Sequence, residues 1–158
     1  RVVSMHAQCC LYELTTPGAG SGEEASPAEI QDLFVQATRL DNLQPDIWNN
    51  MALLYMSLNK FDGARAILEP VLRNVPAYSD ALANLGLSFL CSEDTGEATR
   101  CFQTVILRDP PHLEALNNYG VLLLRQKLYA NAVVFFEKAV DVDVSQSYVW
   151  SNLACAYS

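Results

Sequence analysis

Four asparagines, Asn50, Asn84, Asn118 and Asn152, recur every 34 residues along the chain. Asparagine is a poor choice inside a helix, because its side chain competes for backbone hydrogen bonds. A carboxamide donates and accepts at once. A line of carboxamides therefore suits a peptide unit, which needs both, and it grips backbone without reading side chains. Three residues after the first three asparagines stand Leu53, Leu87 and Val121; four residues before them stand Asp46, Asp80 and Glu114. Amide, apolar and acidic groups in register form the chemistry of recognition. Catalysis has no such footing: the chain holds no Gly-rich phosphate loop, HExxH or GxSxG. The two histidines, His6 and His112, lie far apart, and Cys9, Cys10, Cys91, Cys101 and Cys155 form no CxxC pair. A zinc site is thus unsupported, no cofactor is expected, and His112 reads as a surface-loop residue.

A repeat must position these residues. Trp48, Leu82, Leu116 and Trp150 are spaced by the same 34 residues without a gap. The first unit reads Trp48, Met51, Ala52, Tyr55, Ala64, Leu68, Pro76, and the second Leu82, Leu85, Gly86, Phe89, Ala98, Phe102, Pro110. The third reads Leu116, Tyr119, Gly120, Leu123, Ala132, Phe136; a fourth opens with Trp150, Leu153, Ala154 and Tyr157. Small residues let two helices approach, large ones fill the gaps between hairpins, and Pro76 and Pro110 end helices. Val144 stands where the third unit should carry proline, so that helix is expected to run on or end less sharply. Pro70, inside a helix, predicts a kink.

This pattern resembles the tetratricopeptide repeat family, whose W-x2-L-G-x2-Y, A-x3-F and P signature spans about 34 residues. The resemblance implies an all-α fold, a right-handed α-α superhelix of antiparallel helix hairpins. Helices are expected near 45–58, 62–74, 79–92, 95–108, 113–126, 130–142 and 147–158. Units then fall at 45–78, 79–112 and 113–146, with the first helix of a truncated unit at 147–158. Residues 1–44 read as a degenerate first repeat, with helices over 2–14 and 28–40 and a long, Gly/Ser/Pro/Glu-rich loop over 15–27. A lone first helix at the end exposes Trp150, Leu153 and Tyr157, so the solenoid is expected to continue past Ser158.

In this family the first helices line the concave face. The resemblance therefore puts the asparagines on the groove as a column similar to that of the O-linked N-acetylglucosamine transferase superhelix. Leu53, Leu87 and Val121 form an apolar stripe beside it, and Asp46, Asp80 and Glu114 an acidic row at its entrance. A second reading stands next to this one, in which the amides bond to neighbouring helices and shape the hairpin contacts. Chaperone-binding members carry a carboxylate clamp of Lys, Asn and Arg. Here Asn49, Leu53, Asn84, Glu114 and Asn118 hold those places, so an acidic C-terminal tail is not the expected ligand.

Bulk properties narrow the partner. Lys plus Arg number 10 against 18 Asp plus Glu, for a net charge of −8. Nucleic acid is disfavoured, since phosphate binding needs a basic surface; an acidic, partly apolar groove suits neutral, apolar or basic segments. With 51% apolar and 18% charged residues the chain can offset the entropy of ordering, yet no apolar run approaches the ~20 residues that span a bilayer. Five cysteines without a framework read as reduced, buried helical thiols, in a cytoplasmic setting. The expected function is a protein–protein interaction scaffold, a subunit or adaptor of a larger complex that holds an extended peptide or helix. The alternatives are a substrate-recruiting arm of an enzyme and an architectural subunit with a permanently filled groove.

Overall fold

The computed structural model describes residues 44–108 and 110–158. The expected degenerate unit, with its helices and loop, lies outside them apart from Gln44, as do Cys9 and Cys10. Seven helices follow: α1 Pro45–Ser57, α2 Phe61–Asn74, α3 Ser79–Cys91, α4 Thr95–Ile106, α5 Leu113–Arg125, α6 Tyr129–Val142 and α7 Ser147–Tyr157. Every boundary falls within two residues of its expected place. Each helix packs on its chain neighbours, and the first helices also touch one another, α1 on α3, α3 on α5 and α5 on α7. The product is an all-α tetratricopeptide-type solenoid with α1, α3, α5 and α7 forming one layer.

Close approach within a hairpin depends on the small residues. A Cβ added to Gly86 would lie 2.8 Å from the Phe102 ring, and one added to Gly120 would lie 2.6 Å from the Phe136 ring. Both aromatics are fully buried, as are Ala52 and Leu68 in the first unit. Glycine costs a helix interior roughly 1 kcal/mol relative to alanine; here it admits a whole aromatic ring to the core.

The turn inside each hairpin is the same device three times over. Asn59, Glu93 and Lys127 sit at φ of 58°, 64° and 62°, again 34 residues apart. The following amides reach back across the turn: Lys60 N to Tyr55 O, Asp94 N to Phe89 O and Leu128 N to Leu123 O, each at 2.9 Å. With Asn59 N on Met56 O, Glu93 N on Leu90 O and Lys127 N on Leu124 O, this is the Schellman arrangement, which satisfies otherwise orphaned carbonyls. Glycine normally takes the left-handed position; none of the three turns uses it.

Helix ends elsewhere have individual causes. Pro45 opens α1, where its missing N–H costs nothing. Asp94 caps α4 by accepting from Glu97 N at 3.2 Å. The helix α2 continues through buried Pro70 to Asn74, whose Nδ2 donates to Pro70 O at 2.9 Å. Contrary to expectation, α6 stops sharply at Val142 without a proline, at the same place in its unit as Asn74. Asp143 is extended and does the stopping: its carboxylate accepts from Ser145 N at 2.9 Å, Ser145 Oγ at 2.7 Å and Gln146 Nε2 at 2.6 Å. Those three bonds hold its carboxyl below the usual range.

Candidate functional site: the inner layer of first helices

The first helices carry every candidate residue, and the layer places them unevenly. Asn50 is exposed, Asn152 half-buried, and Asn84 and Asn118 only 6% and 3% exposed. The apolar stripe grades the same way: Leu53 is half-buried, while Leu87 and Val121 belong to the core at 5% and 3%. The four amides are thus not one solvent-facing line.

Amides link consecutive units instead. Asn84 Nδ2 donates to Asn49 Oδ1 at 2.9 Å, and Asn152 Nδ2 donates to Asn117 Oδ1 at 2.8 Å. Between these rungs the acceptor is missing, because Ala83 stands where Asn49 and Asn117 stand. Asn118 Oδ1 takes a longer bond from its neighbour Asn117, at 3.3 Å. The acceptors Asn49 and Asn117 are buried and were not among the expected column. Their signal was present in the sequence as asparagine doublets, Asn49-Asn50 and Asn117-Asn118. Buried amides of this kind are stable only when bonded, so the rungs hold neighbouring first helices in register.

The acidic row makes a second inter-unit series. Tyr78 OH donates to Asp46 Oδ1 at 2.6 Å, and His112 Nε2 pairs with Asp80 Oδ1 at 2.8 Å. Burial first, then the bond to Asp46, pushes the Tyr78 phenol well above its ordinary value. Burial, helped by Glu114 and Asp143, pushes the half-buried Tyr148 up to about 12.

His112 corrects the surface-loop expectation. Its side chain is 12% exposed and forms the N-cap of α5, with Nδ1 accepting from Ala115 N at 3.2 Å. Because Nδ1 accepts, the proton sits on Nε2 and is donated to Asp80, while Glu114 Oε2 stands 3.4 Å from Nδ1. One imidazole therefore caps a helix and joins two units. Cysteine burial also varies: Cys101 is buried, Cys91 half-buried and Cys155 exposed, all as free thiols.

Arginines pin the same junctions from the outside. Arg108, at the end of α4, donates to Ala77 O and Ser79 Oγ at 3.1 Å and to Pro76 O at 3.0 Å. Arg125 Nη1 reaches Leu90 O, at the end of α3, at 3.1 Å. Among the described residues no group of three His, Cys, Asp or Glu could hold a metal ion. No helix there is long and apolar enough to cross a membrane.

Comparison with known proteins agrees with this architecture. A family model described as "Tetratricopeptide repeat" matches residues 49–98 and 87–143. The protein O-mannosyl-transferase Tmtc3 of Drosophila melanogaster is 24% identical over 132 residues, 83% of this chain and 14% of that protein. The Drosophila BBSome complex member BBS4 homolog is 26% identical over 154 residues, 96% of this chain and 31% of that protein. The chain therefore spans less than a third of the length of these relatives. Among solved structures, that of Pseudomonas aeruginosa pilF superposes with a TM-score of 0.66 at 25% identity, covering 71% of this chain and 51% of that one.

Proposed function

The chain belongs to the tetratricopeptide repeat family, and from that premise we propose that it is an interaction scaffold holding an extended peptide or helix against its layer of first helices. Repeats of this family are protein-binding units rather than catalytic ones. The observation that carries the reading is the continuous inner layer, in which α1, α3, α5 and α7 adjoin one another and bring amide, apolar and acidic positions into register.

In this reading Asn50, Asn84, Asn118 and Asn152 meet the ligand backbone. Asn84 commits one amide hydrogen to Asn49, which leaves its Oδ1 and second N–H for a peptide unit. Leu53, Leu87 and Val121 take apolar side chains, and Asp46, Asp80 and Glu114 favour basic ones. The parent protein is a subunit or adaptor of a multiprotein assembly, and its setting is cytoplasmic. The relationship to the BBSome member, itself part of a complex, supports the assembly role. A second reading, that the repeats recruit substrate for a catalytic domain elsewhere in the polypeptide, is favoured by the O-mannosyl-transferase relative.

The test is a selection of binding peptides from a random library, followed by titration against the chain, Asn50→Ala, and the pair Asn84→Ala with Asn118→Ala. Each bond contributes about 0.5–1.5 kcal/mol net, so the pair is expected to weaken binding roughly tenfold with helicity retained. Unchanged affinity in a folded double variant would show that the amides only tie units together.

A further inference from the structure

The last helix, α7, is built on one flank and bare on the other. Val149, Leu153 and Ala156 are buried, as α7 packs on α6. On its other flank Trp150 is 46% and Tyr157 67% exposed, and Ala154 is exposed between them. Both aromatics are nevertheless held in place: Trp150 Nε1 donates to Val144 O at 2.8 Å, and Tyr157 OH to Glu137 Oε1 at 3.0 Å. In the three complete units the positions of Trp150, Ala154 and Tyr157 are half-buried or buried and face the unit's own second helix. The small residue at the centre is the seat of that helix's largest contact, Gly86 for Phe102 and Gly120 for Phe136.

The seat is selective. Where the small residue is glycine, the residue sixteen positions on is Phe102 or Phe136; where it is Ala52, that residue is Leu68. Steric contact explains the pairing, because one added Cβ at either glycine would come within 2.8 Å of the ring, and packed cores tolerate such overlap poorly. Ala154 carries that Cβ. We infer that the open flank of α7 is the docking surface for an antiparallel amphipathic helix of the second kind, bearing a branched aliphatic side chain rather than an aromatic one at the seat of Ala154.

A second copy of this chain does not fit the surface. Its second helices are already flanked on both sides, α2 by α1 and α3, α4 by α3 and α5, α6 by α5 and α7. Its other exposed apolar end, Ile47, Leu54 and Leu58, belongs to α1, which is a first helix and itself lacks a second helix on that flank.

The experiment appends a copy of residues 57–75 directly after Ser158, which sets the copied Leu68 sixteen residues beyond Ala154. A sister extension carries Phe at that place, and both are also made with Ala154→Gly. The readouts are the emission of Trp150 and the thermal midpoint; the emission of Trp48, at the far end of the solenoid, is common to all forms. The Leu extension is expected to shift the emission to the blue and raise the midpoint by several degrees. The Phe extension should do neither with Ala154 and should gain both with Ala154→Gly. Helicity of unextended Ala154→Gly separates a local folding loss from a lost seat. Equal effects of the two extensions in both backgrounds would overturn the inference. So would an unextended chain that sediments as a dimer with the Trp150 emission already blue-shifted.

Discussion

Asn84 and Asn49, thirty-five residues apart, face each other across two units, and the Nδ2 of the first donates to the Oδ1 of the second at 2.9 Å. Both side chains are buried, so each is the other's replacement for water. Removing one member strands a buried polar group, at a cost of about 1–3 kcal/mol. Asn49→Ala is therefore expected to lower the urea midpoint, and Ala83→Asn, which supplies the acceptor Asn118 lacks, to raise it. Equilibrium unfolding measures both; an Ala83→Asn midpoint at or below that of the parent would count against the ladder as a register device.

The three Schellman turns offer a gain in stability. Asn59, Glu93 and Lys127 all hold left-handed backbone, which costs an L-residue roughly 1–2 kcal/mol, with asparagine visiting that region more readily than most. Glu93→Gly and Lys127→Gly should each stabilise by up to about 1 kcal/mol, and Asn59→Gly by less. Chemical denaturation of the three single variants should return that order.

Gly120→Ala should destabilise by about 1–3 kcal/mol through overpacking, because its Cβ would lie 2.6 Å from the Phe136 ring. Adding Phe136→Leu recreates the Ala52 and Leu68 pairing and should recover most of the loss. Non-additivity in this double-mutant cycle is the measurement.

Stability should fall in alkali. The Tyr78 phenol, ordinarily near 10.0, is raised by burial and by its bond to Asp46. The Cys101 thiol is raised from 9.0 to about 11 by burial and by Glu97. In both cases the unfolded chain releases its proton first, so the contribution is whole below the unfolded value and is lost as pH rises through the folded one. Denaturant midpoints should start to drop above about pH 9 for Cys101 and above about pH 10 for Tyr78. Tyr78→Phe and Cys101→Ala should each flatten their own part of that fall.

Much of this structure was legible because the small residues Ala52, Gly86, Gly120 and Ala154 keep a strict spacing. Helix–helix distance leaves few alternatives to such a spacing, and the helices lie within two residues of their expected ends. Individual side-chain partners were less legible. Position in a unit locates Asn84 but does not say that Asn49, one place earlier on the preceding helix, is close enough to accept its proton. The left-handed turns were hidden because asparagine, glutamate and lysine occupy a place where glycine is the usual sign. His112 was misread since histidine is an uncommon cap, and the end of α6 because Asp143 does the work expected of a proline.

The central claim is that the partner lies against the first helices. A photo-crosslinking residue placed at Asn50, exposed on α1, and separately at Val134, exposed on α6, tests it in the full-length parent protein. The account predicts a discrete crosslinked partner from position 50 and none from position 134. The same partner captured from position 134 and absent from position 50 would contradict it.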